Sequence, residues 1–230
     1  MAHAGDSPRP VVVELYTSQG CSSCPQADAF LGQLALRKDI LALSLPITYW
    51  DMLGWKDTLA SKANTDRQKG YAATLGRGGV YTPQVIVDGV NDIVGSRESA
   101  VDSAIAAREA DMLAVPVVLT RSPAEVNVAI GAATGKTKAD ATIWMFRIKN
   151  EATVRIGAGE NGGRTVTYHN VVREVKAIGI WKGRPVTLDL PRDAPGGDLR
   201  DGIAVVVQQG GYGRVVGAAK LDGQEIAKGH

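Results

Sequence analysis

The first hundred residues alternate between strands of buried type and amphipathic helices. Pro10 to Tyr16 is apolar and β-branched apart from one glutamate, which is typical of a strand covered on both faces. Pro25 then opens a segment whose apolar residues fall on one face of a helix, namely Ala27, Phe30, Leu31, Leu34 and Ala35. Ile40 to Thr48 predicts a second buried strand, so the chain begins as strand–helix–strand.

The alternation continues to about residue 110. A helix is predicted from Thr65 to Leu75, with Asn64 as its N-terminal cap. Gln84 to Val87 predicts a strand, and an Asp-Gly pair predicts a tight turn into Asn91 to Val94. Ser96 can cap a last helix. These elements predict an α/β domain.

From about residue 115 helical periodicity disappears and short strands follow one another between Gly, Pro, Asn and Asp turns. The predicted strands are Val115–Thr120, Glu125–Ile130, Thr142–Ile148, Thr153–Ile156, Thr165–Ile180, Val186–Leu190, Ile203–Gln208 and Arg214–Lys220. Closely spaced strands of this kind predict an antiparallel β-sandwich. We therefore expect two domains, 1–112 and 113–230, with the boundary near residues 111–115.

The composition is that of an ordinary globular protein, and it argues against nucleic acid or a membrane as the partner. The apolar fraction of 44% and the charged fraction of 22% are ordinary for a globular protein. A formal net charge of +2, without a Lys/Arg run, argues against nucleic acid and anionic membranes. No apolar stretch approaches the ~18 residues of a membrane span, and Met1 to Pro10 lacks the apolar core of a secretory signal.

The two cysteines carry the chemistry that the sequence suggests. Cys21-Ser22-Ser23-Cys24 lies where the first strand gives way to the first helix. Unpaired N–H groups and the positive end of the helix dipole favour an anion at such a position, and the thiolate is the nucleophile of disulfide exchange. We expect Cys21 to be the exposed nucleophile and Cys24 the resolving thiol, because a spacing of three brings the two sulfurs together.

Two other interpretations of the pair remain open. A structural disulfide is disfavoured, because closing so small a loop removes little entropy from the unfolded chain. Zinc would need further ligands, and the chain offers only His169 in its interior besides the terminal His3 and His230. A copper(I) site on both thiolates is chemically reasonable. We expect no resident metal or cofactor.

The order of elements resembles the thioredoxin fold. Strand, C-x-x-C, helix, strand, helix, then Thr82-Pro83 before a hairpin and a final helix follow that pattern. The resemblance implies a cis proline at Pro83 that faces the cysteine pair, with the backbone around Thr82 pairing with a peptide substrate. It also implies a buried acid that exchanges protons with the resolving cysteine, and Glu14 is the candidate for that role.

Four sequence blocks resemble one bacterial family more closely. They are Glu14 to Pro25, Tyr49 to Asp57, Arg67-Gln68 and Tyr81 to Gln84. The family consists of exported thioredoxin-like proteins and is catalogued as domain of unknown function 1223. Membership implies the fold and a periplasmic or secreted location, but no reaction.

Further residues are candidates for contact with a substrate. Trp50 and Asp51, with Trp55 nearby, could line a groove, although at least one tryptophan is expected to be core. The segment Gly157 to Gly162 spells G-x-G-x-x-G after a strand, but no helix follows, so we interpret it as a hairpin loop.

The sequence thus predicts a thiol–disulfide oxidoreductase that acts on a protein or a small thiol or disulfide. The alternative is a binding module without turnover, which uses the same groove to hold a peptide or copper(I).

Overall fold

A computed structural model describes residues 9–110, 115–122, 125–133, 137, 140–191 and 202–223. The elements follow in the order β1 Val11–Thr17, α1 Cys24–Leu34, β2 Ile40–Pro46, a 3₁₀ helix Asp51–Leu53, α2 Lys62–Thr74, β3 Gln84–Val87, β4 Asn91–Val94, α3 Glu98–Ala110, β5 Val117–Arg121, β6 Glu125–Ile130, β7 Ala141–Arg155, β8 Thr165–Trp181, β9 Val186–Pro191, β10 Gly202–Gln209 and β11 Val215–Asp222.

The strands form one large mixed sheet and one small antiparallel sheet. The large sheet has eight strands in the order β11-β10-β7-β8-β2-β1-β3-β4, and the small sheet has the order β5-β6-β9. β1 and β2 are parallel, β8 joins β2 in parallel through Ser44 and Val171, and the other neighbours are antiparallel. The protein is therefore an α/β structure dominated by sheet.

Side chains along β1 point alternately to the two faces of the sheet, and different helices cover the two faces. Val11, Val13 and Leu15 point to the face covered by α1 and α3. Val12 and Tyr16 point to the opposite face, where Tyr71 of α2 packs. Since both faces are covered, every residue of β1 is buried.

The large sheet crosses the boundary that the sequence predicts between two domains. Residues 111–114, at that boundary, lie outside the described residues, but the large sheet contains β1–β4 from the first half and β7, β8, β10 and β11 from the second. One apolar cluster contains Val12 and Leu43 together with Phe146 and Val206. The two halves of the chain thus share a core.

The second half has the predicted antiparallel strands, but it divides them between the sheets. β7, β8, β10 and β11 extend the large sheet, while β5, β6 and β9 form the small one. Val128 of the small sheet packs with Ile143, Trp181 and Val205 of the large sheet. The predictions for 142–148 and 153–156 were too short, because the intervening residues 149–152 stay paired with β8 and join both into one strand, β7.

One helix start also differs from the prediction. α2 begins at Lys62 and is capped by Ser61, whose Oγ accepts a hydrogen bond from the backbone N–H of Asn64. Asn64 lies inside the helix, and its amide donates to the carbonyl oxygen of Pro46 at 3.0 Å. Its side chain therefore ties α2 to β2 instead of capping the helix.

Candidate functional site

The cysteine pair lies where the sequence places it, between β1 and α1. Cys24 is the first residue of α1, and the backbone N–H of Cys21 closes a turn on Ser18 at 3.1 Å. The two cysteines form a disulfide with a Cα–Cα distance of 5.4 Å. Cys24 is fully buried.

The expectation of an exposed Cys21 is wrong, because its side chain is only 2% exposed. Ser22 and Ser23, which follow it, are exposed, so the motif lies directly beneath the surface. The tip of the β7–β8 hairpin, residues 156–164, is bonded to the backbone of the motif, and we call it the hairpin cover. Most residues of the cover are exposed to solvent.

Two polar side chains attach the hairpin cover to the motif. The amide of Asn161 donates to the carbonyl oxygen of Cys21 at 2.8 Å and to that of Gln19 at 3.0 Å. Asn161 is 1% exposed. On the outer side, the carboxylate of Glu160 accepts a hydrogen bond from the backbone N–H of Ser22 at 3.3 Å.

Trp55 packs against the hairpin cover. Its indole N–H donates to the side-chain oxygen of Gln19 at 2.8 Å. A Cβ placed on Gly157 would lie 2.8 Å from the six-membered ring of Trp55, and one on Gly159 would also touch this side chain. The glycines thus let the hairpin backbone approach the indole closely. The segment 157–162 is a hairpin loop, as the sequence predicted.

Trp50, Thr82 and Pro83 gather beside the cysteine motif. The Thr82–Pro83 peptide bond is cis, which confirms the expectation. The indole N–H of Trp50 donates to the hydroxyl of Thr82 at 2.8 Å, and a Cβ on Gly20 would lie 3.3 Å from the Cβ of Trp50. A Cβ on Gly95 would similarly contact both Pro83 and Ala27 of α1, so the proline lies against the helix that carries Cys24.

Asp51 does not join this group of side chains. Its carboxylate accepts a hydrogen bond from the backbone N–H of Asp57 at 3.1 Å, within the loop that leads to α2. We therefore assign Asp51 to the structure of the loop.

Glu14 lies on the wrong face of the sheet for the role that the resemblance implies. It follows the alternation of β1 to the α2 side, whereas α1 lies on the other face. Both of its oxygens are bound by the guanidinium of Arg67, at 2.6 and 2.8 Å, and Tyr71 donates to it at 2.5 Å. This buried ion pair also reaches Gln208 of β10, so Glu14 connects the two halves of the chain.

The buried acid on the α1 side is Asp28, which the sequence analysis did not single out. It lies one helical turn after Cys24 and is 3% exposed. Burial raises its pKa to about 8; the Thr17 hydroxyl opposes this effect, and the charge of Asp57 adds to it. Asp57 is also buried, and desolvation raises its pKa too.

In the described part of the chain, no group of three or more His, Cys, Asp or Glu side chains is arranged to hold a metal ion. The helices of that part include none with the length and apolarity needed to cross a bilayer.

Comparisons with known proteins identify the family and two solved structures with a similar fold. The family model described as "Protein of unknown function (DUF1223)" matches residues 12–208. A crystal structure of an Agrobacterium tumefaciens protein from a structural genomics consortium is similar, with a TM-score of 0.83 and 36% identity over 95% of this chain and 96% of that one. HBP35 of Porphyromonas gingivalis shares the fold, with a TM-score of 0.65 and 15% identity over 95% of this chain and 76% of that one. No curated protein matches the sequence.

Proposed function

Since the chain belongs to the DUF1223 family, whose function is unknown, we propose from its site that it exchanges disulfides through Cys21 and Cys24. The observation that carries the proposal is the Cys21–Cys24 disulfide at the first turn of α1, with the cis proline Pro83 packed beside that helix. A disulfide that closes so small a ring stabilises the fold little. Redox chemistry is a better reason for two cysteines at this spacing.

The exchange proceeds in two balanced steps. A partner thiolate attacks the Cys21 sulfur, a new S–S bond forms, and Cys24 leaves as a thiolate that takes up a proton. A second partner thiolate then attacks the partner's sulfur in the mixed disulfide and releases Cys21. The partner has lost two electrons, the cysteine pair has gained them, and the reverse sequence reduces a partner disulfide.

Several features support a thioredoxin-like arrangement of the first half. The parallel pair β1 and β2, the C-x-x-C at the start of α1 and the cis proline before β3 follow one another as in that fold. In that arrangement, Thr82 and Pro83 border the groove for a peptide substrate, together with Trp50. A periplasmic or secreted location is part of this proposal, because it rests on the resemblance to exported proteins.

Two cysteine variants test the exchange. The oxidised protein is mixed with a reduced two-cysteine peptide or with glutathione, the reaction is quenched by alkylation, and the products are weighed by mass spectrometry. We expect the wild type to oxidise the reduced peptide. C24S has no disulfide of its own, so it is mixed instead with oxidised glutathione; its Cys21 thiolate should displace one glutathione thiolate and accumulate as a mixed disulfide. C21S should do neither.

A binding module would give a different pattern. If wild type and C21S bind the peptide equally and neither changes its thiols, exchange is contradicted and peptide binding is favoured. If the wild type holds copper(I) through both sulfurs and exchanges with no thiol, the site is a metal site.

A further inference from the structure

A cavity of about 610 Å³ lies at the β4 margin of the large sheet, between the loop after α2 and the start of α3. We call it the edge groove, and its lining includes Arg77, Tyr81, Asp92, Ile93, Val94 and Arg97. In the described part of the chain β4 pairs only with β3, so no strand covers its other side. The volume lies in the range of pockets that bind ligands.

The edge groove borders the elements that hold the cysteine pair. Directly after β4, the backbone N–H of Gly95 donates to the carbonyl oxygen of the cis proline Pro83 at 2.8 Å. Glu98, the first residue of α3, accepts a hydrogen bond at 3.2 Å from the side-chain amide of Gln26, which lies two residues after Cys24 on α1. A peptide that runs past Pro83 toward the cysteine pair can therefore extend into the edge groove.

A buried network orients Arg77 at the groove. Its Nε lies 2.8 Å from an oxygen of Asp92, whose side chain is 2% exposed, whereas that of Arg77 is 54% exposed. The other oxygen of Asp92 accepts hydrogen bonds from the hydroxyl of Tyr81 at 2.6 Å and the amide of Gln84 at 3.0 Å. Gln68 of α2 in turn donates to Gln84 at 2.8 Å. Because Asp92 faces Nε, the two terminal Nη groups of Arg77 are left to bind a ligand.

Arg97, immediately before α3, supplies a second guanidinium. Its side chain is exposed, and it has no hydrogen bond or ion pair with the residues that the structure describes. Burial and the Asp92 hydrogen bond raise the pKa of Tyr81, and the charges of Arg77 and Arg97 both oppose that rise. The two guanidinium groups thus act at the same point, and beside the single carboxylate of Asp92 they leave the groove with a net positive charge.

These features fit an extended polypeptide that carries a carboxylate. The planar fork of a guanidinium matches the two oxygens of a carboxylate. A single excess positive charge suits a carboxylate better than a phosphate group, which carries ≈ −1.5 to −2. The open side of β4 offers backbone groups to an added strand, and the half-buried Ile93 and Val94 offer apolar contact beside it.

We propose that the edge groove selects partner polypeptides that carry an aspartate or glutamate close to their reactive cysteine; this deepens the exchange reaction proposed above and rests on it. The partner segment lies extended beside β4, Arg77 and Arg97 bind its carboxylate, and its cysteine faces the Cys21–Cys24 pair. The carboxylate takes no part in the electron transfer. The preference therefore holds for oxidation and for reduction of the partner.

The test compares two reduced two-cysteine peptides that differ only in having aspartates or asparagines on either side of the cysteines. Each is mixed with oxidised protein, and the loss of peptide thiols is followed by alkylation and mass spectrometry. We expect the wild type to oxidise the aspartate peptide about 10-fold faster than the asparagine peptide, and rising salt to weaken this preference. R97E should abolish the preference, and the neutral R97Q should reduce it.

R184E is the matched control, because it reverses one exposed charge in the loop between β8 and β9 and changes the net charge equally. We expect R184E to keep the wild-type preference. Equal rates with the two peptides in the wild type would overturn the proposal and leave the exchange reaction standing. Equal loss of the preference in R97E and R184E would also overturn it, because the attraction would then belong to the whole surface.

Binding of fluorescent peptides with serine in place of each cysteine, measured by anisotropy, separates the groove from the exchange reaction. We expect the aspartate version to bind more tightly to the wild type, and R97E to remove the difference. If no peptide is oxidised but this Arg97-dependent binding is found, the exchange reaction is overturned and the groove remains a site for acidic peptides. If R97E slows only the reaction with glutathione, the assignment of a polypeptide is overturned.

Discussion

We expect the hairpin cover to move before a thiol reaches Cys21, and Asn161 is the residue whose side chain bonds the cover to the backbone of the motif. N161A removes both hydrogen bonds from its amide, to Cys21 O at 2.8 Å and to Gln19 O at 3.0 Å. A buried hydrogen bond contributes about 0.5–1.5 kcal/mol net, so the two together contribute about 1–3 kcal/mol. If opening of the cover precedes attack, its equilibrium shifts by that amount, and the rate of attack rises by about 5-fold to about 150-fold.

The assay is the rate at which dithiothreitol reduces the Cys21–Cys24 disulfide, measured by quenching and alkylation under pseudo-first-order conditions. N127A is the matched control, because Asn127 lies on the small sheet, where its amide donates to Asp189 at an exposed position. We expect N127A to react at the wild-type rate. Hydrogen exchange at the backbone of Ser22 should accelerate in N161A as well.

An unchanged reduction rate in N161A would refute the reasoning. It would mean that reagents reach the sulfur by a route that does not involve the cover. Equal acceleration in N161A and N127A would point to general loosening of the structure. In contrast, a faster reduction rate in N161A, while the backbone elsewhere in the sheet stays protected from hydrogen exchange, identifies local opening at the cover.

Three further predictions concern stability. Burial raises the pKa of Asp28, so the folded protein keeps a proton that the unfolded chain releases above about pH 4. The free energy of unfolding therefore falls by up to ~1.4 kcal/mol per pH unit from about pH 4 to about 8. Denaturant unfolding of D28N across this range should lack that slope, and an identical slope in both proteins would refute it. E14Q leaves a buried guanidinium without its charged partner and should lower the free energy of unfolding by roughly 3 kcal/mol. G70A should destabilise the protein by about 1–3 kcal/mol, because its methyl group would collide with the ring of Tyr212. G78A places its methyl group in open space and should stay within about 0.5 kcal/mol of wild type. Equal effects of the two substitutions on thermal unfolding would contradict this prediction.

The parts of the site that sequence reasoning predicted are those set by neighbouring residues. The cysteine motif lies at the strand–helix junction because the apolar run before it and Pro25 after it act locally. The cis bond at Pro83 followed from the resemblance to a known fold. Such features need only short stretches of chain for their prediction.

The hairpin cover could not be predicted in this way. Asn161 contacts backbone that lies 140 residues earlier, and its segment reads only as a glycine-rich turn. Nothing in the local pattern indicates what such a turn covers, because that depends on β8 joining β2.

The sequence pointed to Glu14 as the buried acid near the cysteines, whereas the structure has Asp28 on the α1 side, and this difference has a specific cause. β1 is buried on both faces, so its composition does not reveal which face α1 covers, and the side of Glu14 stays undetermined. Asp28 did carry a signal, since it stands four residues after Cys24 on a helix whose other inward residues are apolar. A charged residue in that apolar stripe is therefore the sequence signal for a buried acid on the α1 side.

The pairing of β8 with β2 also bears on any attempt to study the cysteine motif in isolation. A chain that ended at residue 112 would leave the backbone of β2 open along one side, and it would uncover Leu43 and Leu45. An exposed apolar edge strand pairs with a further strand, which comes from another molecule when the same chain supplies none. Such a fragment should self-associate, and its cysteine motif would lack the hydrogen bonds from Asn161.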